Sequence, residues 1–544
     1  MSLIRLPRNI VKQLPAYCKL STATLKDEEY TNTPNYPPIL DLTPEKVLER
    51  KKEASYEEIK AVKTIEEKQI KLNMPKYYGF KCYMFDEGKI PYGQLSLVQY
   101  ITRTHLILKD QLPEYYSQIN VDNLMNDIKS DIEEILVIEH NHYRRKHEIL
   151  NEELDVNIRD RLLTRSICRL INRSLLNSMS STFPHLQNAQ VDLDPRIESF
   201  WFAGGMNPPE NIKRCRRGME WQKHNENEPT NRAIQYIGTP ILHVRSYLPL
   251  LPIVPFAEAT NEEFKIPIFK YDPRVVGTFT THRHVTNIPG FWPGDLYEHG
   301  LLSYHSREHL INRDFNDPMD NIHALHRQGI LSCFGWLNAQ ANYLGFTTFN
   351  DITYPLVTQC VITNGQTWSF YVYQLNTILN HSKHVNENPK RNICWATSEM
   401  KLYEEIKDDK VIGFNDDVLK MIIKYYANIP EERLGVNMRP YLDDQEKVTA
   451  NYEDDDKRKW LEKEYKFLMS NRPRLKEFYE LYHWEKIYKV DHQTRPHEAR
   501  RRPFELKQKP SDRKLNERQP AYIPRALRPN LPRHKGRYAK EYFP

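Results

Sequence analysis

Two runs of β-forming residues, LVTQCVIT (356–363) and QTWSFYVYQL (366–375), flank an Asn364-Gly365 pair, and no other feature limits the fold as tightly. Asn-Gly between such runs is the strongest short-range hairpin signal, because both residues tolerate the left-handed backbone of a two-residue type I′ turn. A turn centred on that pair sets Val361 opposite Trp368 and Val357 opposite Val372. Large apolar residues fall on both faces of both runs. The hairpin is therefore expected centrally in a sheet that is covered on both sides.

Helical periodicity surrounds it. Residues 320–345 align Leu325, Ile330, Phe334, Leu337, Ala341 and Leu344 along one apolar face. NDDVLKMIIKYY (415–426) carries Asp416 and Asp417 in its first turn, where the helix dipole favours acids. Residues 121–150 form a longer amphipathic helix through Leu124, Ile128, Ile132, Ile135 and Leu136, and 158–178 continue helical. Residues 94–112 read as a short helical segment closed by Pro113. Thr43-Pro44 opens a charged helix over 43–73, since proline suits the first helical position. From about 183 proline and asparagine become frequent and the helical period fades. YLPLLPIVPF (247–256) spaces its prolines by three, an apolar polyproline-like strap expected to pack on the body. Residues 453–490 read as an acidic-then-basic helical stretch.

At 544 residues the chain exceeds one domain of the usual ~100–200 residues. No apolar run approaches the roughly 18 residues of a membrane-spanning helix. The net charge of +6 hides an asymmetry: an acidic body lies between two basic ends. At the N-terminus Leu3, Leu6, Ile10, Val11 and Leu14 share one helical face, and Arg5, Arg8, Lys12, Lys19 and Lys26 precede the first acid, Asp27. That is the composition of a mitochondrial presequence, in which an import receptor grips the apolar stripe and the membrane potential draws in the charge. At the other end eight prolines within 491–544 forbid a long helix. There Arg500, Arg501, Arg502, Arg525, Arg528 and Arg533 alternate with Phe504, Tyr522, Tyr538, Tyr542 and Phe543. Extended arginine with aromatic punctuation suits unpaired RNA, through phosphate pairing and base stacking. The alternative is a solvated tail that touches nothing specific. The expected layout is a presequence at 1–26, a mainly helical region at 27–180, a mixed domain at 181–440, a helical extension at 441–490 and the basic tail at 491–544. The fold class is α+β, with a helical N-terminal part, a mixed domain containing the central hairpin, and an extended tail.

Chemistry is sparsely signalled. Seven cysteines include no CxxC pair, which argues against a disulfide framework and a cysteine-rich zinc site. No phosphate-loop, dinucleotide, metalloprotease or nucleophile-elbow motif occurs. His305 and His309 in HSREHL would share a face if helical, but two ligands do not close a zinc site. Asp408, Asp409, Asp416 and Asp417 admit a magnesium reading, though a loop pair and a helix-capping pair explain them as well. No cofactor is implied. The basic clusters are more informative. Arg144, Arg145 and Lys146 end the 121–150 helix, and three adjacent cations there favour a structural or RNA-facing role over a metal at the neighbouring His140, His142 and His147. Lys213, Arg214, Arg216 and Arg217 surround Cys215 and suit phosphate or salt-bridge use better than a reactive thiol.

The strings CFGWLNAQANYLGF (333–346), YPLVTQCVITNGQTWSFYVYQLNTI (354–378), NPKRNICWATSEMKLYEEI (388–406) and GFNDDVLKMII (413–423) are specific. Weaker echoes occur at EHNHYRRK (139–146) and IEEKQIKLNMPKYYGF (65–80). Together they resemble an animal mitochondrial ribosomal protein family, first catalogued as small-subunit protein thirty and as programmed cell death protein nine, now placed in the large subunit. The resemblance covers roughly 60–435, and nothing beyond about 440 has a counterpart in it. It implies a non-enzymatic structural constituent of the mitochondrial ribosome, located in the matrix. Its expected partners are ribosomal RNA and other large-subunit proteins, including the related protein thirty-seven. Lys390 and Arg391 are expected to meet RNA or a protein partner. Two rivals remain: a matrix RNA-processing nuclease built on the 408–417 acids, and an apoptosis-linked interaction protein suggested by the older family name alone.

Overall fold

A computed structural model describes residues 80–440, with breaks at 151–155, 219, 284–286, 292–294, 311–317, 347–350 and 382–387, and single positions between 43 and 61. The presequence, the 453–490 stretch and the basic tail lie outside the described residues, as does most of the 43–73 helix. The chain divides into units at Tyr56 and Glu57. In the first, Arg50 Nε donates to the Lys46 carbonyl one helical turn back. The architecture below belongs to the second.

Its first elements are β1 (Phe80–Asp86), α1 (Leu95–Ile101), β2 (Thr104–Leu108), α2 (Met125–Leu150), α3 (Val156–Met179) and α4 (Pro184–Gln187). Then come β3 (Gln190–Leu193), β4 (Ile197–Met206), α5 (Glu210–Arg217), β5 (Thr230–Gly238), β6 (Leu242–Ser246), β7 (Thr280–Arg283) and β8 (His299–Ser306). The last third holds α6 (Pro318–Tyr343), β9 (Leu356–Thr363), β10 (Thr367–Leu375), β11 (Asn392–Ala396), β12 (Met400–Lys401), β13 (Glu405–Lys407), β14 (Lys410–Ile412) and α7 (Asp416–Ala427). The class is mixed α+β. A four-stranded sheet runs β4-β5-β1-β7, and a larger one runs β2-β11-β10-β9-β8-β6-β3 with β12 beside β10. Both are mixed: β1–β5, β8–β9 and β2–β11 pair in parallel, the other neighbours antiparallel. Among the described residues no helix is long and apolar enough to cross a membrane.

The hairpin β9–β10 occupies the middle of the larger sheet, and its side chains alternate between two cores. Cys360, Ile362, Tyr371 and Tyr373 face one hydrophobic cluster, which includes α6 and the smaller sheet. Val361, Trp368, Phe370 and Val372 face the other, built with Ile132 of α2, Ile171 of α3 and Ile422 of α7. The turn differs from its expectation. Val361 pairs with Phe370 and Val357 with Gln374, two residues off the predicted register. The reason lies in the backbone: Gly365 has φ +92° whereas Asn364 is not left-handed, so the central pair is Gly365-Gln366. Glycine at the first central position is the type II′ arrangement. Asn364 instead holds the turn from outside, its Oδ1 accepting from the Gln366 and Thr367 amides. A shift of two keeps every side chain on its predicted face.

Helix α6 is buried all round from Ala324 onward, not along one face. Close approach on both sides explains this. A Cβ at Gly329 would lie 2.4 Å from the Tyr371 ring of β10, and one at Gly335 2.3 Å from the Tyr236 ring of β5. The helix is therefore clamped between the two sheets, and its polar side chains find partners inside. Gln340 accepts from the Gly300 amide, Asn338 donates to Ser199, and His326 meets the Tyr371 hydroxyl.

The segment 94–112 is helical only through Ile101. Thr102 caps α1, Arg103 turns the chain with φ +51°, and Thr104–Leu108 joins the large sheet beside β11. HSREHL is likewise not a helix: His305 lies on β8 and His309 in the short turn after it. The proline strap packs on the body as expected, with the Gln374 amide bonding the Ile253 and Val254 backbone.

Candidate nucleic-acid interface

Proline at 209 and Glu210 in the first turn start α5, and Gly218 ends it, which places Arg214, Arg216 and Arg217 in the last turn beside the negative end of the dipole. The four cations then divide. Arg217 pairs with Glu210 at 2.6 Å and with Glu226 at 2.7 Å. Arg216 donates to the Asn225, Glu226 and Glu228 carbonyls, tying the helix to the following turn. Lys213 and Arg214 have no ion pair among the described residues, and Arg214 is exposed. Cys215 is exposed as well. Half of this predicted cluster thus stabilises the loop, and half is available to an outside anion. Arg144, Arg145 and Lys146 lie on α2, but their side chains are outside the described residues.

The NPKRN segment before β11 is the second basic group. Asn392 organises it: its Oδ1 accepts from the Asn376 and Thr377 amides, and its Nδ2 donates to the Thr102 and Thr377 carbonyls. Lys390 is spent internally, 3.1 Å from Asp351 and 4.4 Å from the Phe256 ring centre. Arg391 is different. It donates to the carbonyls of Asn388, Pro389 and Lys390 and to no carboxylate among the described residues. Arg103, arriving from the far side of the sequence, donates to the same Asn388 carbonyl at 2.6 Å. Burial lowers the pKa of both guanidiniums, and the Arg391 charge further lowers that of Arg103, to about 10. Two guanidiniums crowded onto one carbonyl make a local positive field that favours an anion. Arg103 was not foreseen; a single arginine in ITRTHL offers no local signal.

The acids of the nuclease reading are otherwise employed. Asp408 and Asp409, with φ +49° and +58°, form the turn of the β13–β14 hairpin, and Asn141 donates to Asp409. Asp416 pairs with Lys129 at 2.7 Å. Asn415 caps α7 by accepting from the Asp417 amide.

A helix-clamped pair of mixed sheets with basic surface groups fits many proteins, and comparison with known families decides among them. The family model described as mitochondrial 28S ribosomal protein S30 (PDCD9) matches residues 4–430. The chain belongs to this family. Membership makes it a mitochondrial ribosomal protein with a structural rather than enzymatic role. The match reaches further toward the N-terminus than the resemblance over 60–435, and it ends just after α7, so the basic tail stands outside it.

Proposed function

We propose that this protein is a structural constituent of the large subunit of the mitochondrial ribosome, held in the matrix by contacts to ribosomal RNA and to neighbouring large-subunit proteins. The family match over 4–430 carries the proposal. The resemblance of the 333–423 strings supplies the large-subunit assignment and the related protein thirty-seven as a neighbour. RNA contact rests on the cations: Lys213 and Arg214 on α5, Arg391 before β11, Arg144 to Lys146 on α2, and the tail arginines from Arg500 to Arg533. Each would displace counterions from a phosphate, so the contribution falls with salt. Residues 1–26 act as the import signal in this reading.

Sedimentation of mitochondrial lysate in magnesium, with the subunits separated, tests the assignment. The protein should travel with the large subunit and leave that position when RNA is digested. Recovery near the top of the gradient, or with the small subunit, would refute it. Fusion of residues 1–30 to a reporter tests the import signal, and a cytosolic reporter would refute that part.

A further inference from the structure

Between the end of α1, the start of β11 and the loop at 262–268 lies a cleft of about 570 Å³. That is within the roughly 300–1,000 Å³ typical of small-ligand pockets. Its lining includes three cations, Arg103, Lys265 and Arg391, against one carboxylate, Glu262. Two aromatic side chains, Tyr100 and Phe264, stand in the same wall. The wall is braced from behind. Trp201 donates to the Ile101 carbonyl at 3.0 Å and fixes the end of α1. His105 bonds the Lys265 carbonyl at 2.8 Å and leans on the Phe264 ring, with centroids 5.4 Å apart.

Asn380 also lines the cleft. It is 2% exposed, yet among the described residues neither its Oδ1 nor its Nδ2 has a hydrogen-bond partner. Its position is not loose: the Asn380 carbonyl accepts from the Gly204 amide at 2.7 Å, at a bulge where β4 shifts register between Ala203 and Met206. A buried amide with both ends unused costs free energy unless something outside the chain uses it. Asparagine offers one donor and one acceptor side by side, which matches the edge of a nucleobase. Cations match a phosphate, and aromatic faces match a base plane.

We propose that this cleft holds one unpaired nucleotide of an RNA strand, with the phosphate on Arg103, Lys265 and Arg391, the base against Phe264 or Tyr100, and the base edge on the Asn380 amide. The proposal deepens the RNA-binding reading above and rests on it. A base inside a duplex is stacked and paired, so the cleft selects loops, bulges and ends.

The test uses the full chain with a short single-stranded RNA carrying 4-thiouridine, a duplex of the same sequence, and nucleoside monophosphates. Crosslinks should map to the peptides containing Tyr100 or Phe264. Phe264→Leu and Arg391→Gln should each weaken single-strand binding about tenfold, with little effect on the duplex. Asn380→Leu should leave thermal stability unchanged or raised, since no internal hydrogen bond is lost, while RNA affinity falls. RNA binding that is unchanged in all three variants would overturn the cleft while leaving the broader RNA reading intact. A full chain that binds no RNA would overturn both. Monophosphates binding as tightly as the strand would make the occupant a free nucleotide and overturn the RNA assignment. Crosslinks in intact particles that join the cleft to a protein carboxylate and to no RNA would also overturn it.

Discussion

His305 Nδ1 donates to Glu87 Oε1 across 2.6 Å, with both side chains buried, and so joins the end of β1 in the small sheet to β8 in the large one. The second Glu87 oxygen accepts from the Thr239 amide at 2.6 Å, and Gln328 of α6 donates to the first at 3.0 Å. One carboxylate thus touches both sheets and the helix between them.

This pair makes stability depend on pH in a specific direction. Burial alone would raise the Glu87 carboxyl, but the His305 charge and the surrounding hydrogen bonds outweigh it and hold it at about 2. Burial would lower His305, but the Glu87 charge outweighs that and lifts it to about 9. The nearby His243 is pushed well down by burial and by the His305 charge, so it stays neutral. The Glu87 contribution is present above its ordinary value of 4.5 and is lost as pH falls toward 2. The His305 contribution is complete below 6.5 and is lost as pH rises through about 9. Denaturant unfolding across pH should therefore show the pair's full effect between those ordinary values and a decline on the alkaline side. In Glu87→Gln that alkaline decline should shrink.

Removing one partner should be costly. Glu87→Gln leaves His305 with no counter-charge, so the buried ring must stay an unpaired cation or give up its proton, and the change should cost about 3–5 kcal/mol, the range for breaking a buried pair from one side. The double variant with His305→Gln should recover part of that loss, because no charge is left unpaired. Urea titration of the single and double variants measures the difference.

Gly335 tests the clamp on α6. Alanine there gains about 1 kcal/mol of helix propensity. Its Cβ would meet the ring of the buried Tyr236 at 2.3 Å, however. Overpacking of that kind costs about 1–3 kcal/mol, so Gly335→Ala should lower the unfolding midpoint.

The β9–β10 turn gives a test between two geometries. Gly365→Ala should cost about 1–2 kcal/mol, the penalty for a side chain in the left-handed region. Asn364→Ala should cost about 0.5–1.5 kcal/mol through loss of its side-chain bonds to the Gln366 and Thr367 amides. Asn364→Gly should destabilise as well, whereas in a type I′ turn glycine would be welcome there. Thermal melts of the three variants decide.

On α5, Lys213→Gln and Arg214→Gln should each reduce the salt dependence of RNA binding by about one phosphate's worth of counterion release. Arg217→Gln should change it less, since that guanidinium is already paired with Glu210 and Glu226. Binding isotherms at several salt concentrations provide the slopes.

The hairpin, α6, α7 and the long helices α2 and α3 were legible because their signals are local: a two-residue period, a helical period and a turn dipeptide within one window. The strand β2 was not. THLIL follows a helical run without proline or glycine between them, and the break at Arg103 is a left-handed residue held by carbonyls nearly three hundred positions away. The strands β3 to β8 were missed for a related reason. β3, β6 and β7 are only four or five residues long, β4, β5 and β8 carry no turn dipeptide to mark them, and the pairs β3–β6 and β6–β8 join segments distant in the chain. At the interface, Lys213, Arg214 and Arg391 could be found as runs of charge, but the internal use of Arg216, Arg217 and Lys390 could not.

Sequence by itself determined which segments alternate and which wind, where the chain must reverse near Gly365, and that cations cluster at 213–217 and 390–391. It also carried the family strings over 333–423. Tertiary structure decided which faces were dry. The polar residues of α6 are buried because a second sheet covers them, and Glu87 and His305 become a buried pair only where the two sheets meet. Periodicity records what each residue prefers beside its neighbours in the chain. Burial and charge pairing depend instead on what arrives from elsewhere, as Arg103 and Asn380 do at the cleft.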